Sequence, residues 1–321
     1  MELRYDGNPP KREINDQFSD WLKELFALDD RIVYLDADLM GCLKVRQLWK
    51  EMPERVFNCG IQEANMVGTA AGLYLAGYKP YIHSFTPFIS RRAYDQIFIS
   101  VAYAHKSVHL IGTDAGILAS ANGGTHMCFE DVALMRVIPG ACIVDVSDAE
   151  MFHGMLKATK DWEGVTYFRT PRRGAPDIYR EGTEFKVGKA LVLSEGKDVT
   201  IIASGIMVAT ALEAKTQLES EGIQAQVIDP VTVKPLDKEL ILRSAAATRA
   251  VVTAENHNAI GGLGSAVTDL LSENLPTPVL KVGIQDCFGQ TGTVDYLRNA
   301  YLLTPENIVA QVHNVLMRKN I

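Results

Sequence analysis

Asn58-Cys59-Gly60-Ile61-Gln62-Glu63-Ala64-Asn65-Met66-Val67-Gly68-Thr69-Ala70-Ala71-Gly72 reads as a turn that opens a helix. Glu63 stands in the first helical turn, where the helix dipole favours a carboxylate. The turns after it are built almost wholly from small side chains, which let a helix approach another backbone or a flat ligand closely. Apolar runs flank this helix, which the pattern extends from Glu63 to Leu75. Arg31-Ile32-Val33-Tyr34-Leu35 precedes it and Pro80-Tyr81-Ile82-His83-Ser84-Phe85 follows it. Strand, helix and strand in that order make a parallel pair covered by its crossover helix.

The same unit recurs outward. Val108 to Gly112 and Ala141 to Asp145 read as further strands, and Asn15–Leu28, Arg91–Ala102 and Asp148–Thr159 as helices. The stretch Thr170-Pro171-Arg172-Arg173-Gly174-Ala175-Pro176 marks an exposed connection. After it the alternation restarts: strands at Val199–Ala203, Ala225–Asp229 and Val251–Glu255, helices at Met207–Ser220 and Gly264–Ser272. The expected fold is α/β with two domains, 1–182 and 183–321. Each is a mostly parallel sheet flanked by helices.

The bulk numbers exclude several classes. The chain has 321 residues, 47% hydrophobic and 22% charged, the balance of a soluble globular protein. A formal net charge of −7 argues against nucleic-acid and anionic-membrane partners, which need clustered positive charge. No apolar run is long enough to span a bilayer, and the opening residues lack the core of a signal peptide. The five cysteines are scattered, without a CxxC or zinc-ligand spacing, as expected for reduced thiols in the cytoplasm.

Three features carry chemistry. Glu63 opens its helix. Phe85 and Phe88, in Ser84-Phe85-Thr86-Pro87-Phe88, fall at the C-terminal end of an expected strand, where parallel α/β sheets bind ligands. Gly123-Gly124-Thr125-His126 is a flexible turn presenting one imidazole. Together with Glu130-Asp131-Val132-Ala133-Leu134-Met135-Arg136, Glu255-Asn256-His257, Gly261-Gly262-Leu263-Gly264 and Asp286-Cys287-Phe288-Gly289-Gln290-Thr291-Gly292, they resemble the transketolase family. The resemblance covers the pyrimidine-binding and C-terminal domains, from about Arg12 onward.

That resemblance implies thiamine diphosphate as cofactor. Glu63 matches the glutamate that hydrogen-bonds N1′ of its aminopyrimidine, so that the ring can help to deprotonate the thiazolium; a carboxyl in a dry pocket can share such a proton. Phe85 and Phe88 match aromatics packed on the pyrimidine. Asp38 and Leu39 match residues lining the cofactor, and His126 a histidine that contacts substrate oxygens. His83, two residues before Phe85, points to the same side of its strand and reads as structural. His257 is expected to order a loop, and the C-terminal domain to give support and dimer contact.

The family's Gly-Asp-Gly motif for the diphosphate and its metal is absent. Gly261–Gly264 is the alternative by composition, since backbone N–H groups of such a turn can face phosphate. The expectation is a split enzyme: an N-terminal, diphosphate-binding subunit supplies Mg²⁺ or Ca²⁺, and the two chains form an α₂β₂ assembly.

At the substrate end, the resemblance makes Arg169 and Arg12 the phosphate-binding arginines, because guanidinium donates two parallel hydrogen bonds. Three positions depart from the usual pattern. Asp114 replaces a phosphate-contacting histidine, Asn122 an aspartate that reads a sugar hydroxyl, and Cys42 a serine at the phosphate. A carboxylate at 114 repels phosphate unless it pairs with a neighbouring arginine. Ketol transfer on a changed sugar is therefore expected, either an unusual or branched sugar phosphate or a modified ketose. The alternatives are a subunit like 1-deoxyxylulose-5-phosphate synthase, one like the β chain of 2-oxo acid dehydrogenases, and a non-catalytic supporting subunit.

Overall fold

The structure is a computed structural model that describes residues 3–11 and 13–319. Arg12 lies outside the described residues. Six parallel strands, β1 (Ile32–Asp36), β2 (Val56–Asn58), β3 (Lys79–Phe85), β4 (Val108–Thr113), β5 (Cys142–Asp145) and β6 (Val165–Thr170), build the first sheet. Every residue of β1, β4, β5 and β6 is buried, so both faces are covered. On one face Phe18, of helix Ile14–Leu28, stacks at 5.8 Å on Phe152, of helix Ala149–Ala158. On the other, helix Glu63–Leu75 buries Met66, Val67, Ala70 and Ala71 beside Val33, Leu35 and Ile82. Each larger side chain buried there contributes about 1.5–3 kcal/mol.

The second sheet holds β7 (Leu191–Ser194), β8 (Val199–Ala203), β9 (Ala225–Asp229), β11 (Val251–Asn258) and β12 (Val279–Ile284) in the order β12-β11-β8-β9-β7. Only β7 runs antiparallel, against β9. The strand between β9 and β11, β10 (Thr232–Lys234), leaves this sheet and pairs antiparallel with β5 at the edge of the first. One strand that follows the expected boundary at 182/183 thus belongs to the first sheet.

Two expected elements differ. The helix read over Arg91–Ala102 is two widened π-type turns, Phe88–Arg92 and Ile97–Tyr103, around the short α turn Tyr94–Gln96. Such turns hold one residue more than an α turn and rotate the side chains after them, a device common at functional sites. Strand β11 runs on to Asn258, which carries Glu255, Asn256 and His257 to the domain junction.

Arg169, read from the sequence as a phosphate ligand, is a correction. It is 1% exposed, in the middle of the junction between the two sheets. Its Nε donates to Asp131 at 2.8 Å, Nη1 to Asp145 at 3.3 Å and Nη2 to the Asn256 carbonyl at 2.5 Å. Two carboxylates and a carbonyl use its donors, and the guanidinium is walled off from solvent. Its work is to join β6 to β5, to helix Asp131–Arg136 and to β11.

Candidate active site

The C-terminal ends of the parallel strands converge on one rim. β3 ends at Phe85, β4 leads into Asp114, β6 leads through Pro171 to Arg172, and β1 leads into Asp38 and Leu39. Beyond β4, the turn Gly116–Asn122 carries Asn122 to the same rim and leads to His126. A cavity of about 290 Å³ opens there, lined among others by Phe85, Asp114, Asn122, His126 and Arg172.

Glu63 is 1% exposed although it is the first residue of its helix. Its Oε1 accepts from Ser84 Oγ at 2.8 Å and its Oε2 from Arg92 Nη1 at 2.9 Å. Glu63 is therefore a buried, doubly hydrogen-bonded carboxylate and no solvated helix terminus. Phe85 and Phe88 are half-buried, with ring centroids 6.2 Å apart. The His126 ring stands edge-on to both, at 6.0 and 5.1 Å. Its Nδ1 is 2.9 Å from Thr125 Oγ1. The structure thus brings Phe85, Phe88 and His126 together, with Glu63 beside them through Arg92, whose guanidinium lies 4.0 Å over the Phe88 ring.

Asp38 is exposed in a left-handed backbone conformation (φ 64°) and its Oδ1 accepts from Asn58 Nδ2 at 2.9 Å. Leu39 is half-buried and its N–H donates to Asp36. Asp36 in turn anchors His83: Nδ1 lies 2.8 Å from Asp36 Oδ2, and Nε2 lies 3.1 Å from Thr113 Oγ1. His83 is fully buried, a structural residue beneath the rim.

Sequence reasoning missed Arg172. Its Nε donates to Asp114 Oδ1 at 3.2 Å, and its Nη2 lies 3.1 Å from Asp114 Oδ2. Asp114 therefore has the arginine partner that an anion site requires of it. Burial pushes the Asp114 carboxyl up, and Arg172 beside it pulls the other way. Burial likewise pushes up the half-buried Cys42 thiol, which Arg172 also approaches. The sequence signal was present, an Arg172-Arg173 pair just past β6, but it did not say which arginine turns inward.

The C-terminal part braces this rim. Asn256 donates through Nδ2 to the Ala115 carbonyl at 3.0 Å, and its Oδ1 accepts from the Ile117 N–H at 3.1 Å. Gly124 packs so closely on Gly289 that a Cβ there would meet the Gly289 carbonyl oxygen at 2.5 Å. The Asp286–Gly292 segment thus holds the turn that presents His126. His257 is buried and its Nε2 accepts from the Ala133 N–H at 3.4 Å. The Gly261–Gly264 turn is not a phosphate site: the Leu263 and Gly264 N–H groups donate to Glu255 at 2.7 and 2.8 Å. Among the described residues, no group of three His, Cys, Asp or Glu side chains can hold a metal ion, and no helix is long and apolar enough to cross a membrane.

Comparison with known proteins agrees with this architecture. Residues 11–177 match the family model described as transketolase, pyrimidine binding domain, and residues 188–308 match transketolase, C-terminal domain. The 6-deoxy-6-sulfo-D-fructose transketolase subunit SqwH of Clostridium sp. (strain MSTE9) is 49% identical over 307 residues, 96% of this chain and 95% of that protein. An apulose-4-phosphate transketolase subunit of Phocaeicola vulgatus is 37% identical over 270 residues, 84% of this chain and 86% of that protein. A solved structure described as a split gene transketolase, inactive beta4 tetramer, superposes with a TM-score of 0.89 at 43% identity, covering 96% of this chain and 99% of its own. With both domain models matched in order and a buried glutamate, two aromatics and a histidine on the strand-end rim, this chain belongs to the transketolase family of transferases.

Proposed function

We propose that this chain is the C-terminal subunit of a heteromeric transketolase, moving a two-carbon ketol unit from a ketose to an aldose. It works with an N-terminal subunit that holds the diphosphate of thiamine diphosphate through Mg²⁺ or Ca²⁺, in an α₂β₂ assembly in the cytoplasm. The observation that carries this reading is Glu63, a carboxylate buried at the strand-end rim beside aromatic rings. The residues present fit the aminopyrimidine end of the cofactor: Glu63 for N1′, Phe85 and Phe88 for the ring face, Asp38 and Leu39 at the rim. For the diphosphate the described residues offer no comparable seat, which favours a second chain. The relative described as an inactive β₄ tetramer supports both self-association and dependence on a partner.

Thiamine diphosphate, when bound, would supply a nucleophilic carbon for ketol transfer. The chain's own residues do the rest. Glu63 holds a proton in common with the pyrimidine nitrogen. Phe85 and Phe88 exclude water from that contact, so its electrostatics act in a low dielectric. His126 donates to the oxygen on which charge develops. Arg172 binds the anionic end of the sugar.

The Asp114–Arg172 pair also bears on the sugar. A guanidinium already half-neutralised by a carboxylate suits a monoanion better than a phosphate dianion. This favours a sulfonate-bearing ketose, the kind of substrate named for the Clostridium relative. This chain reconstituted with a diphosphate-binding transketolase subunit should turn over 6-deoxy-6-sulfo-D-fructose at least ~10-fold more efficiently in kcat/KM than fructose 6-phosphate, about 1.4 kcal/mol of discrimination. Preference for the phosphate would overturn the sugar assignment, and decarboxylation of pyruvate in place of ketol transfer would overturn the reaction class.

A further inference from the structure

Arg92 is the one cation in direct contact with Glu63 among the described residues, and no reading of the sequence assigned it a part. It closes the widened turn Phe88–Arg92. Its Nη1 donates to Glu63 Oε2 at 2.9 Å while its guanidinium lies 4.0 Å over the Phe88 ring. Glu63 is 1% exposed and Arg92 45%, so the carboxylate is fixed and the arginine has an open path to solvent. The other carboxylate oxygen already accepts from Ser84. The neighbouring Arg91 pairs elsewhere, with Glu130.

One guanidinium therefore uses the second acceptor of a buried carboxylate and a face of the adjacent aromatic ring at the same time. A flat heteroaromatic ring with N–H donors on its edge makes those same two demands. Guanidinium and an aminopyrimidine whose N1′ carries the proton shared with Glu63 are alike in this respect: both are planar, both present an N–H in the plane to the carboxylate, and both stack on aromatic faces. A carboxylate this deeply buried is costly to leave unpaired, so the fold needs some donor at Oε2. The half-exposed arginine, on a long aliphatic stem, meets that need and can also withdraw to solvent.

We propose that Arg92 is a placeholder for the cofactor's aminopyrimidine: it holds Glu63 and Phe88 in their working arrangement and swings outward when the ring docks. This inference rests on the reading of Glu63 as the aminopyrimidine's partner. Arg92 is then a positioning residue that competes with the cofactor, in contrast to a permanent ligand that would assist it.

The test uses this chain with a diphosphate-binding transketolase subunit, titrated calorimetrically with thiamine diphosphate and Mg²⁺. Arg92→Gln should tighten cofactor binding at least threefold, and Arg92→Lys, which keeps charge but loses the planar fork, should fall between Gln and wild type. Unchanged or weaker binding in Arg92→Gln would overturn the proposal. A readout independent of the cofactor is the thermal unfolding of this chain alone. Arg92→Gln should lower the melting temperature, and adding Glu63→Gln should recover part of the loss, because the buried charge left unpaired is then gone. Loss without recovery would also overturn the proposal. Glu63→Gln by itself separates the two readings. If it leaves turnover and cofactor affinity unchanged, the role of Glu63 fails. If it cuts turnover while Arg92→Gln does not tighten binding, only the placeholder fails.

Discussion

At the scale of single residues, two arginines exchange roles between sequence and structure. Arg169 resembles a phosphate ligand by position, yet its donors are spent on Asp131, Asp145 and the Asn256 carbonyl. Arg172, three residues on, faces the cavity with Asp114. The variants should separate cleanly. Arg172→Gln should raise KM for an anionic ketose ~10-fold or more and leave kcat within a few-fold, the signature of lost ground-state and transition-state binding alike. Arg169→Met should leave KM alone in whatever protein folds, and lower stability by about 3–5 kcal/mol, because two buried carboxylates lose their partner. Steady-state kinetics and chemical denaturation measure the two effects. The misreading has a physical cause. β6 is buried at every position, so its sequence carries no in-and-out alternation to show where Arg169 points.

At the scale of elements, legibility followed local determination. Helix Glu63–Leu75 and helix Met207–Ser220 have the bounds that their sequences indicate, since a continuous helical pattern fixes both and a charged start marks the first. Glu63, Phe85, Phe88 and His126 were legible because a helix start, a strand end and a glycine turn are local features. β10 was not: three residues gain strand character only by pairing with β5 across the domain junction. Arg92 was hidden in the same way, because the widened turn at Phe88–Arg92 decides which of two adjacent arginines meets Glu63. The C-terminal domain, to which the sequence assigned support and dimer contact, also shapes the rim through the contact of Gly289 with Gly124. Gly124→Ala should therefore cost about 1–3 kcal/mol of stability, as overpacking does. It should also lower kcat more than ten-fold in the assembled enzyme, since the turn carrying His126 must shift. Unaltered turnover would show that the turn has slack the packing does not indicate.

At the scale of the whole molecule, the two domains meet over buried acids. Burial pushes the Asp148 carboxyl up to about 6, against the pull of the backbone N–H groups of Tyr179, Met151 and Ile178. Burial also pushes Asp229 up to about 6, against its hydrogen bonds from Ser147 and Tyr179. Both then bind protons more tightly folded than unfolded. Their contribution to stability is fully present below about pH 4 and is lost as the pH rises through about 6. Asparagine cannot titrate, so the stability difference between wild type and Asp229→Asn should shrink from pH 4.5 to pH 7.5 in denaturant melts. A constant or growing difference would contradict the assignment. Asp29 acts in the opposite sense: Arg31 and Lys79 hold its carboxyl well below the usual range, and its contribution is lost on acidification.

The same scale carries the central claim, that one catalytic site is divided between two polypeptides and this chain owns the half that meets the aminopyrimidine. The most direct test is a calorimetric titration of thiamine diphosphate with Mg²⁺ into this chain alone, into the diphosphate-binding subunit alone, and into the two mixed. Saturable binding at least a hundredfold tighter in the mixture than in either chain is the predicted result. Tight binding by this chain alone, with ketol transfer to match, would contradict it.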